Sequence, residues 1–179
     1  MFRIARYLLL PLAPLAMLPW LASDAGAGSE PHIGRCRMDY CSWSSILKKD
    51  LVKQVKDAAL YRVEVRGGTS GEYAPSEDYP DKYDPSVRIK WDDPAGTALI
   101  FCYSRLPAVI FGNQVTVLNF SEVGGSRESA ANLYVNVCHD GDSFDWLSEK
   151  WRKEYGYGPP LTEDVTIDTP ADLFGYVRR

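Results

Sequence analysis

Apolar side chains recur at every second position through much of residues 60–138. In YRVEVR, Tyr61, Val63 and Val65 alternate with charged residues, which is typical of a strand with one buried face. VRIKW, VTVLNF and NLYVNVC alternate in the same way, AVIF is a short apolar run, and ALIFCY is apolar enough to be buried on both faces. Turn residues separate these segments and no helical pattern intervenes, so the sequence predicts an antiparallel sheet of five or six strands. In this interpretation Cys138 ends the last strand.

An N-terminal helix is predicted over residues 44–58. Its signal is a set of apolar residues at steps of four: Trp43, Leu47, Leu51, Val55 and Ala59. A strand is the alternative, because Leu51, Lys53 and Val55 also fit a period of two.

The end of the chain predicts a clearer helix, which Asp142 or Ser143 would cap and whose first turn would contain Asp145. Its apolar residues recur every three or four positions and Gly156 follows them, where helices commonly end: Phe144, Leu147, Trp151 and Tyr155. The run TPAD at residues 169–172 is typical of the start of a short final helix. The predicted fold class is therefore α+β, with the sheet, a C-terminal helix and an N-terminal helix in a single domain.

Residues 1–27 have the order of a secretory signal peptide: Arg3 and Arg6, an apolar run, and then the small residues Ala25, Gly26 and Ala27. The alternative, a membrane anchor, is disfavoured because prolines interrupt the run and it is shorter than the ~20 residues that span a bilayer. Cleavage near Ala27 would leave residues 28–179 as one exported domain, secreted or periplasmic. Without Arg3, Arg6 and Asp24, the 20 basic and 24 acidic residues become 18 and 23, a net charge of −5. Nucleic acid is not an expected partner, since no basic cluster is present.

Four cysteines lie in the exported part, at positions 36, 41, 102 and 138. An even number in an oxidising compartment predicts two disulfides. Three connectivities are open, of which Cys36–Cys41 with Cys102–Cys138 is the local one. A zinc site that combines Cys36 and Cys41 with Cys138 and His139 is disfavoured, because paired zinc ligands are usually two to four residues apart. No metal or cofactor is expected.

Residues 67–86, GGTSGEYAPSEDYPDKYDPS, form a long acidic segment without apolar periodicity. Long segments of this kind are usually functional or solvated loops. Tyrosines supply rigid contact area and acids attract a basic partner, so the segment is the candidate binding site. Its candidate residues, together with a tryptophan that lies off the predicted helical stripe, are Tyr73, Glu77, Asp78, Tyr79, Asp81, Tyr83, Asp84 and Trp146.

The stretch CHDGDSFD, residues 138–145, is the densest group of reactive side chains, but its spacing matches neither a catalytic motif nor the EF-hand loop. We interpret His139 as a connecting-turn residue, whose replacement by alanine would leave the fold nearly unchanged. The predicted function is an exported non-catalytic binding protein, such as an inhibitor or immunity-type module that engages a basic envelope protein. A small hydrolase that uses His139 or carboxylates such as Asp92 with Asp140 is one alternative, and an envelope structural protein is the other.

Overall fold

The computed structural model describes residues 30–71, 83–125, 127–139, 148–162 and 165–177. These residues form a seven-stranded antiparallel sheet, which confirms the predicted sheet and adds a strand to it. The strands are β1 (His32–Arg37), β2 (Tyr40–Val55), β3 (Ala58–Gly71), β4 (Lys90–Trp91), β5 (Gly96–Cys102), β6 (Ala108–Phe111) and β7 (Gln114–Val117). Their order is β1-β2-β3-β5-β6-β7, and the short β4 pairs with β3 on the same side as β5.

In the described ranges, three short helices accompany the sheet: α1 (Arg127–Cys138), α2 (Glu149–Glu154) and a 3-10 helix (Pro170–Tyr176). The sheet curves as a half-barrel around α1, which contacts β1, β2, β5 and β6. Within the described residues, no helix has both the length and the apolar character that are needed to cross a membrane.

The prediction of an N-terminal helix over residues 44–58 is wrong, because most of this segment belongs to β2. β2 pairs with β3 from Tyr40 to Val55, and two β-bulges interrupt the pairing, one at Ile46/Lys48 and one at Leu51/Lys53. A bulge inserts one extra residue and therefore shifts the alternation of side chains. Two such shifts within one strand break the period of two, which explains why the apolar spacing imitated a helix.

The prediction of a last strand in NLYVNVC is also wrong, because these residues form the second half of α1 and Cys138 ends a helix. All seven residues from Ala131 to Val137 are buried. A helix surrounded by protein has no polar face, so its sequence lacks the amphipathic period that identifies surface helices. The β-branched Val135 and Val137 then made the run typical of a strand.

The core consists of two clusters on opposite faces of the sheet. The inner cluster joins β3, β5 and β6 to α1 and includes Val63, Ile100, Val109, Leu133 and Tyr134. The outer cluster joins the same strands to the 3-10 helix and includes Leu60, Phe101, Ile110, Leu173 and Val177. Neighbouring residues of β5 contribute to opposite clusters, which confirms that ALIFCY is buried on both faces.

The helix ends follow the local sequence where the structure describes them. The final helix is confirmed in the 3-10 form, and Asp172 Oδ2 accepts a hydrogen bond from Thr169 N–H at 2.7 Å. α2 begins after its N-cap Ser148, and it ends before Gly156, whose φ of +72° suits glycine. The predicted start at Phe144, together with the capping residues Asp142, Ser143 and Asp145, lies outside the described residues.

Two disulfides are present, Cys36–Cys41 and Cys102–Cys138, which is the local pairing among the three predicted alternatives. The first lies within the hairpin of β1 and β2, where Cys36 and Cys41 are register partners. The second connects the end of β5 to the end of α1.

We expect the two disulfides to contribute unequally to stability. Cys102–Cys138 spans 36 residues and its removal by double alanine substitution should cost about 3–4 kcal/mol, whereas Cys36–Cys41 spans 5 residues and should cost about 2 kcal/mol. Urea unfolding of the two double variants measures the difference. Equal losses would show that the β5–α1 link does not constrain the unfolded chain as its loop length predicts.

Candidate functional site

A candidate site is the groove between the first half of α1 and the concave face of the sheet, with a volume of about 680 Å³. Small-molecule sites typically enclose ≈ 300–1,000 Å³. β1, β2 and β3 form one side, β7 and the end of β6 form the other, and α1 closes the top. The lining residues are Gly34, Ser42, Trp43, Ser44, Val65, Gly67, Asp92, Pro94, Gly96, Phe111, Gln114, Val115, Thr116, Val117, Arg127, Ser129, Ala130 and Leu133.

A close contact between α1 and β1 fixes one end of the groove. Asn132 Nδ2 donates a hydrogen bond of 2.6 Å to the carbonyl oxygen of Gly34. A Cβ atom at Gly34 would lie 2.7 Å from Ser42 Oγ and 2.9 Å from Ser129 Oγ, closer than carbon and oxygen normally approach. A larger residue at position 34 would therefore displace both serine hydroxyls and press on the Cβ atom of Ser129, which is 3.3 Å from the same position. The two serine hydroxyls are 3.3 Å apart.

Trp43 forms a rigid part of the groove wall. Its indole Nε1 donates a hydrogen bond of 2.7 Å to Ser70 Oγ, and only 3% of the residue is exposed. Tyr83 packs edge-on against the indole, with ring centroids 6.1 Å apart. Val65, Val117 and Leu133 provide buried apolar surface in the same groove. Because these side chains are already fixed by the core, the wall is preformed for a ligand.

Charged side chains surround the groove, and most of them pair with each other. Arg35 Nε lies 3.2 Å from Glu128 Oε2. Arg66 Nη2 lies 3.5 Å from Asp93 Oδ1, and Arg66 Nε donates to the backbone oxygen of Asp92. The side chains of Asp92 and Arg127 remain, and within the described residues neither makes a hydrogen bond or ion pair. The groove therefore presents one carboxylate and one guanidinium that are available to a ligand.

The lining of the groove is chemically mixed. It combines hydroxyls, one amide, two opposite charges and apolar surface, and its described residues include neither histidine nor cysteine. Ser42 Oγ donates to the carbonyl oxygen of Arg35, so no imidazole activates it. Across the described part of the chain, no three His, Cys, Asp or Glu side chains are grouped so as to hold a metal ion.

His139 belongs to an aromatic cluster at the other end of α1, which comprises Phe120, Tyr134, His139, Trp151, Tyr155 and Tyr157. The ring of His139 lies 4.4 Å from that of Tyr155, and its Nε2 is 2.7 Å from the Tyr157 hydroxyl. Tyr157 donates its single hydroxyl hydrogen to Tyr134 at 3.0 Å. The Tyr157 oxygen therefore links the His139 ring to Tyr134 in one chain of hydrogen bonds. His139 follows α1 as a connecting residue, but it is packed and hydrogen-bonded.

Burial determines the ionisation of the two tyrosines in this chain of hydrogen bonds. Desolvation raises the pKa of Tyr134 well above its ordinary value, and the neighbouring Tyr157 raises it further. Desolvation also raises the pKa of Tyr157, and the hydrogen bond with Tyr134 only partly offsets this effect. Both hydroxyls are therefore neutral donors and acceptors, so the cluster stabilises the fold and offers no reactive phenolate.

The predicted binding segment is described only at its ends. Residues 67–71 belong to β3, so the segment is shorter than expected. Tyr83 contacts Trp43 at the groove, and Asp84 Oδ1 accepts a hydrogen bond from Ser86 N–H at 2.8 Å. The other predicted binding residues lie outside the described part of the chain: Tyr73, Glu77, Asp78, Tyr79, Asp81 and Trp146.

Sequence reasoning missed the groove because its residues are far apart in the chain and carry no shared motif. Asp92 was considered only as the partner of Asp140 in a carboxylate pair. Asp140, like the other acids of the 138–145 stretch, Asp142 and Asp145, lies outside the described residues. A signal that was present is Gly34, a glycine inside a strand, since such residues often mark a close backbone approach.

No protein-family model, curated protein or solved structure matches the chain. Function is therefore argued from the chemistry of the groove itself.

We expect His139→Ala to lower the free energy of unfolding by about 1–3 kcal/mol, because it removes a hydrogen-bond partner of the buried Tyr157 hydroxyl. The sequence alone predicts a nearly neutral substitution, so the measurement distinguishes the two expectations. Urea unfolding measures the loss. His139→Phe is the control, since it keeps the aromatic contacts and removes only the hydrogen bond. An unchanged midpoint for His139→Ala would contradict the role of the ring in packing.

A second prediction concerns alkaline pH. Below the ordinary tyrosine pKa of about 10, Tyr134 and Tyr157 are protonated in both states, so their stabilising contribution is constant. Above it the unfolded chain loses these protons first, because the folded pKa values are higher, and stability falls as the pH rises. The double variant Tyr134→Phe, Tyr157→Phe should show a shallower fall in urea midpoint above about pH 10. Tyr40→Phe, at an exposed position, is the control, and equal slopes for all three proteins would contradict this assignment.

Proposed function

We propose that this chain is an exported, non-catalytic binding protein whose binding site is the groove between α1 and the sheet. The observation that carries the proposal is a preformed concave surface of about 680 Å³ that mixes apolar walls with unpaired polar groups. Sites for small ligands usually combine a mainly apolar lining with a few polar groups that fix orientation. Two disulfides and the signal-like order of residues 1–27 support an oxidising compartment outside the cytoplasm.

Binding is favoured over hydrolysis by the side chains in and around the groove. Glycoside hydrolysis by carboxylates requires a pair of them. Asp92 is the single carboxylate among the described lining residues. His139, the other candidate catalytic residue, is a member of the aromatic cluster, where its Nε2 is hydrogen-bonded to the Tyr157 hydroxyl.

A basic protein partner remains our proposal for the acidic segment 67–86. What supports it is the position of Tyr83, whose ring contacts Trp43 in the groove wall. A partner that occupies the groove would therefore meet the described end of this segment. The segment's acids would then increase the rate of association, and its tyrosines would contribute buried contact area.

The test fills the groove without touching the core. Gln114→Trp adds a large side chain at an exposed lining position of β7, and Gln54→Trp is its matched control at an exposed position of β2. Four classes of compound are screened by thermal unfolding: amphipathic peptides, nucleosides, sugars and fatty acids. We expect at least one class to raise the thermal midpoint of both the wild type and Gln54→Trp. A ligand at 100 times its Kd stabilises a protein by ≈ 2.7 kcal/mol, which such a measurement resolves.

Gln114→Trp should not respond to the same compounds. If every compound that stabilises the wild type also stabilises Gln114→Trp equally, binding occurs elsewhere and the groove is not the site. If no compound class stabilises the wild type at millimolar concentration, the proposal of a small-ligand groove fails.

A further inference from the structure

We propose that the groove takes a small zwitterion of the class of short peptides with free ends, with the ammonium on Asp92 and the carboxylate on Arg127. This inference rests on the proposed binding function and names the ligand class for the same site. Its basis is the distribution of charge around the groove and the way in which each charge is positioned.

The charge distribution leaves one ion of each sign unpaired. Arg35 is paired with Glu128, and Arg66 is paired with Asp93. Asp92 and Arg127 both line the groove and are exposed, and among the described residues neither has a side-chain partner. A ligand with a single charge would pair with either Asp92 or Arg127 and would leave the other side chain without an ionic partner. A zwitterion satisfies both at once, and charge-assisted hydrogen bonds are the strong ones.

The backbone of Asp92 is fixed beside β3, and a glycine leaves room for its side chain. Its N–H donates a hydrogen bond of 2.8 Å to the carbonyl oxygen of Gly67. A Cβ atom at Gly67 would lie 2.9 Å from Asp92 Oδ2, so the carboxylate lies in the space that a side chain in β3 would fill. The carboxylate therefore lies over the sheet, within the groove lining.

Arg127 is carried by the other wall, at the first residue of α1. The helix start is fixed by Glu128 Oε1, which accepts a hydrogen bond from Gly125 N–H at 3.1 Å. Gly125 itself has a φ of +65°, which suits glycine in the turn before the helix. The guanidinium offers a fork of donors that matches the geometry of a carboxylate. The two opposite charges thus come from separate elements, strand connection and helix, on either side of the groove.

The surface between the two charges suits a peptide. The hydroxyls of Ser44 and Thr116 and the amide of Gln114 supply donors and acceptors that a peptide backbone needs. Val65, Val117 and Leu133 supply apolar surface for a side chain. A sugar would leave the two charges unused, and a nucleic acid or an anionic lipid headgroup would bring its negative charge towards Asp92.

The experiment measures which end of a peptide each residue recognises. Calorimetric titration uses alanyl-leucyl-alanine with free ends, its N-acetyl form and its C-terminal amide. We expect the wild type to bind the free peptide about tenfold more tightly than either blocked form. In Asp92→Asn the loss on N-acetylation should shrink to less than about twofold, while the loss on amidation persists. In Arg127→Gln the pattern should be reversed.

Glu64→Gln and Arg62→Gln are the matched controls, because each removes a charge from the exposed surface of β3 outside the groove lining, and both should behave as the wild type. Affinity for the free peptide should also fall with added salt, since exposed charges are screened within about 8 Å at physiological ionic strength. Equal effects of the two groove substitutions on all three peptides would overturn the assignment of the ends. If none of the three peptides binds the wild type more tightly than it binds Gln114→Trp, the ligand class is wrong. The groove function would still stand if another compound class separates those two proteins.

Discussion

The close approach of α1 to β1 is the contact on which the rest of this structure depends. Asn132 donates to the carbonyl oxygen of Gly34, and the missing side chain at Gly34 makes room for the hydroxyls of Ser42 and Ser129. A half-barrel without its helix would expose the inner face of the sheet to water. With α1 in place, Leu133 and Tyr134 fill that face. The hydrogen bond compensates for burying two polar groups at the point of contact, which would otherwise be costly.

The two ends of α1 have different surroundings: the contacts at the carboxyl end stabilise the fold, and the amino end lines the proposed binding groove. At the carboxyl end, the disulfide Cys102–Cys138 and the aromatic cluster around His139 hold the helix to β5 and α2. The turn at Gly156 returns the chain so that Tyr157 stacks on Trp151, with ring centroids 5.1 Å apart. At the amino end, the helix meets the sheet at β1 and β2, and the space towards β7 is the groove. Because the carboxyl end of α1 is held in this way, the amino end of the same helix, which lines the groove, is fixed in position as well.

The same arrangement explains why the charges near the groove are available. Trp43 Nε1, a buried polar group in the groove wall, is hydrogen-bonded within the chain. Asp92 and Arg127 lie at the exposed rim, where water solvates them and leaving them unpaired costs little. Their availability comes from position, since Gly67 leaves room for the Asp92 carboxylate and Arg127 is the first residue of α1. A preformed site needs less ordering on binding, which favours affinity.

The sequence by itself determined the antiparallel sheet, the burial of β5 on both faces, and two disulfides with three possible pairings. It also determined the end of α2 before Gly156 and the start of the 3-10 helix after Thr169. These features depend on side-chain period, cysteine number and residues with particular backbone preferences, all of which act over a few positions. Tertiary structure decided the rest. Two bulges made a strand with a helical spacing in residues 44–58, and complete burial removed the amphipathic period from α1. The residues that line the groove include Gly34, Asp92, Gln114 and Arg127, which come together only because the sheet curves around the helix. A local sequence pattern cannot predict that residues so far apart in the chain lie close together in space.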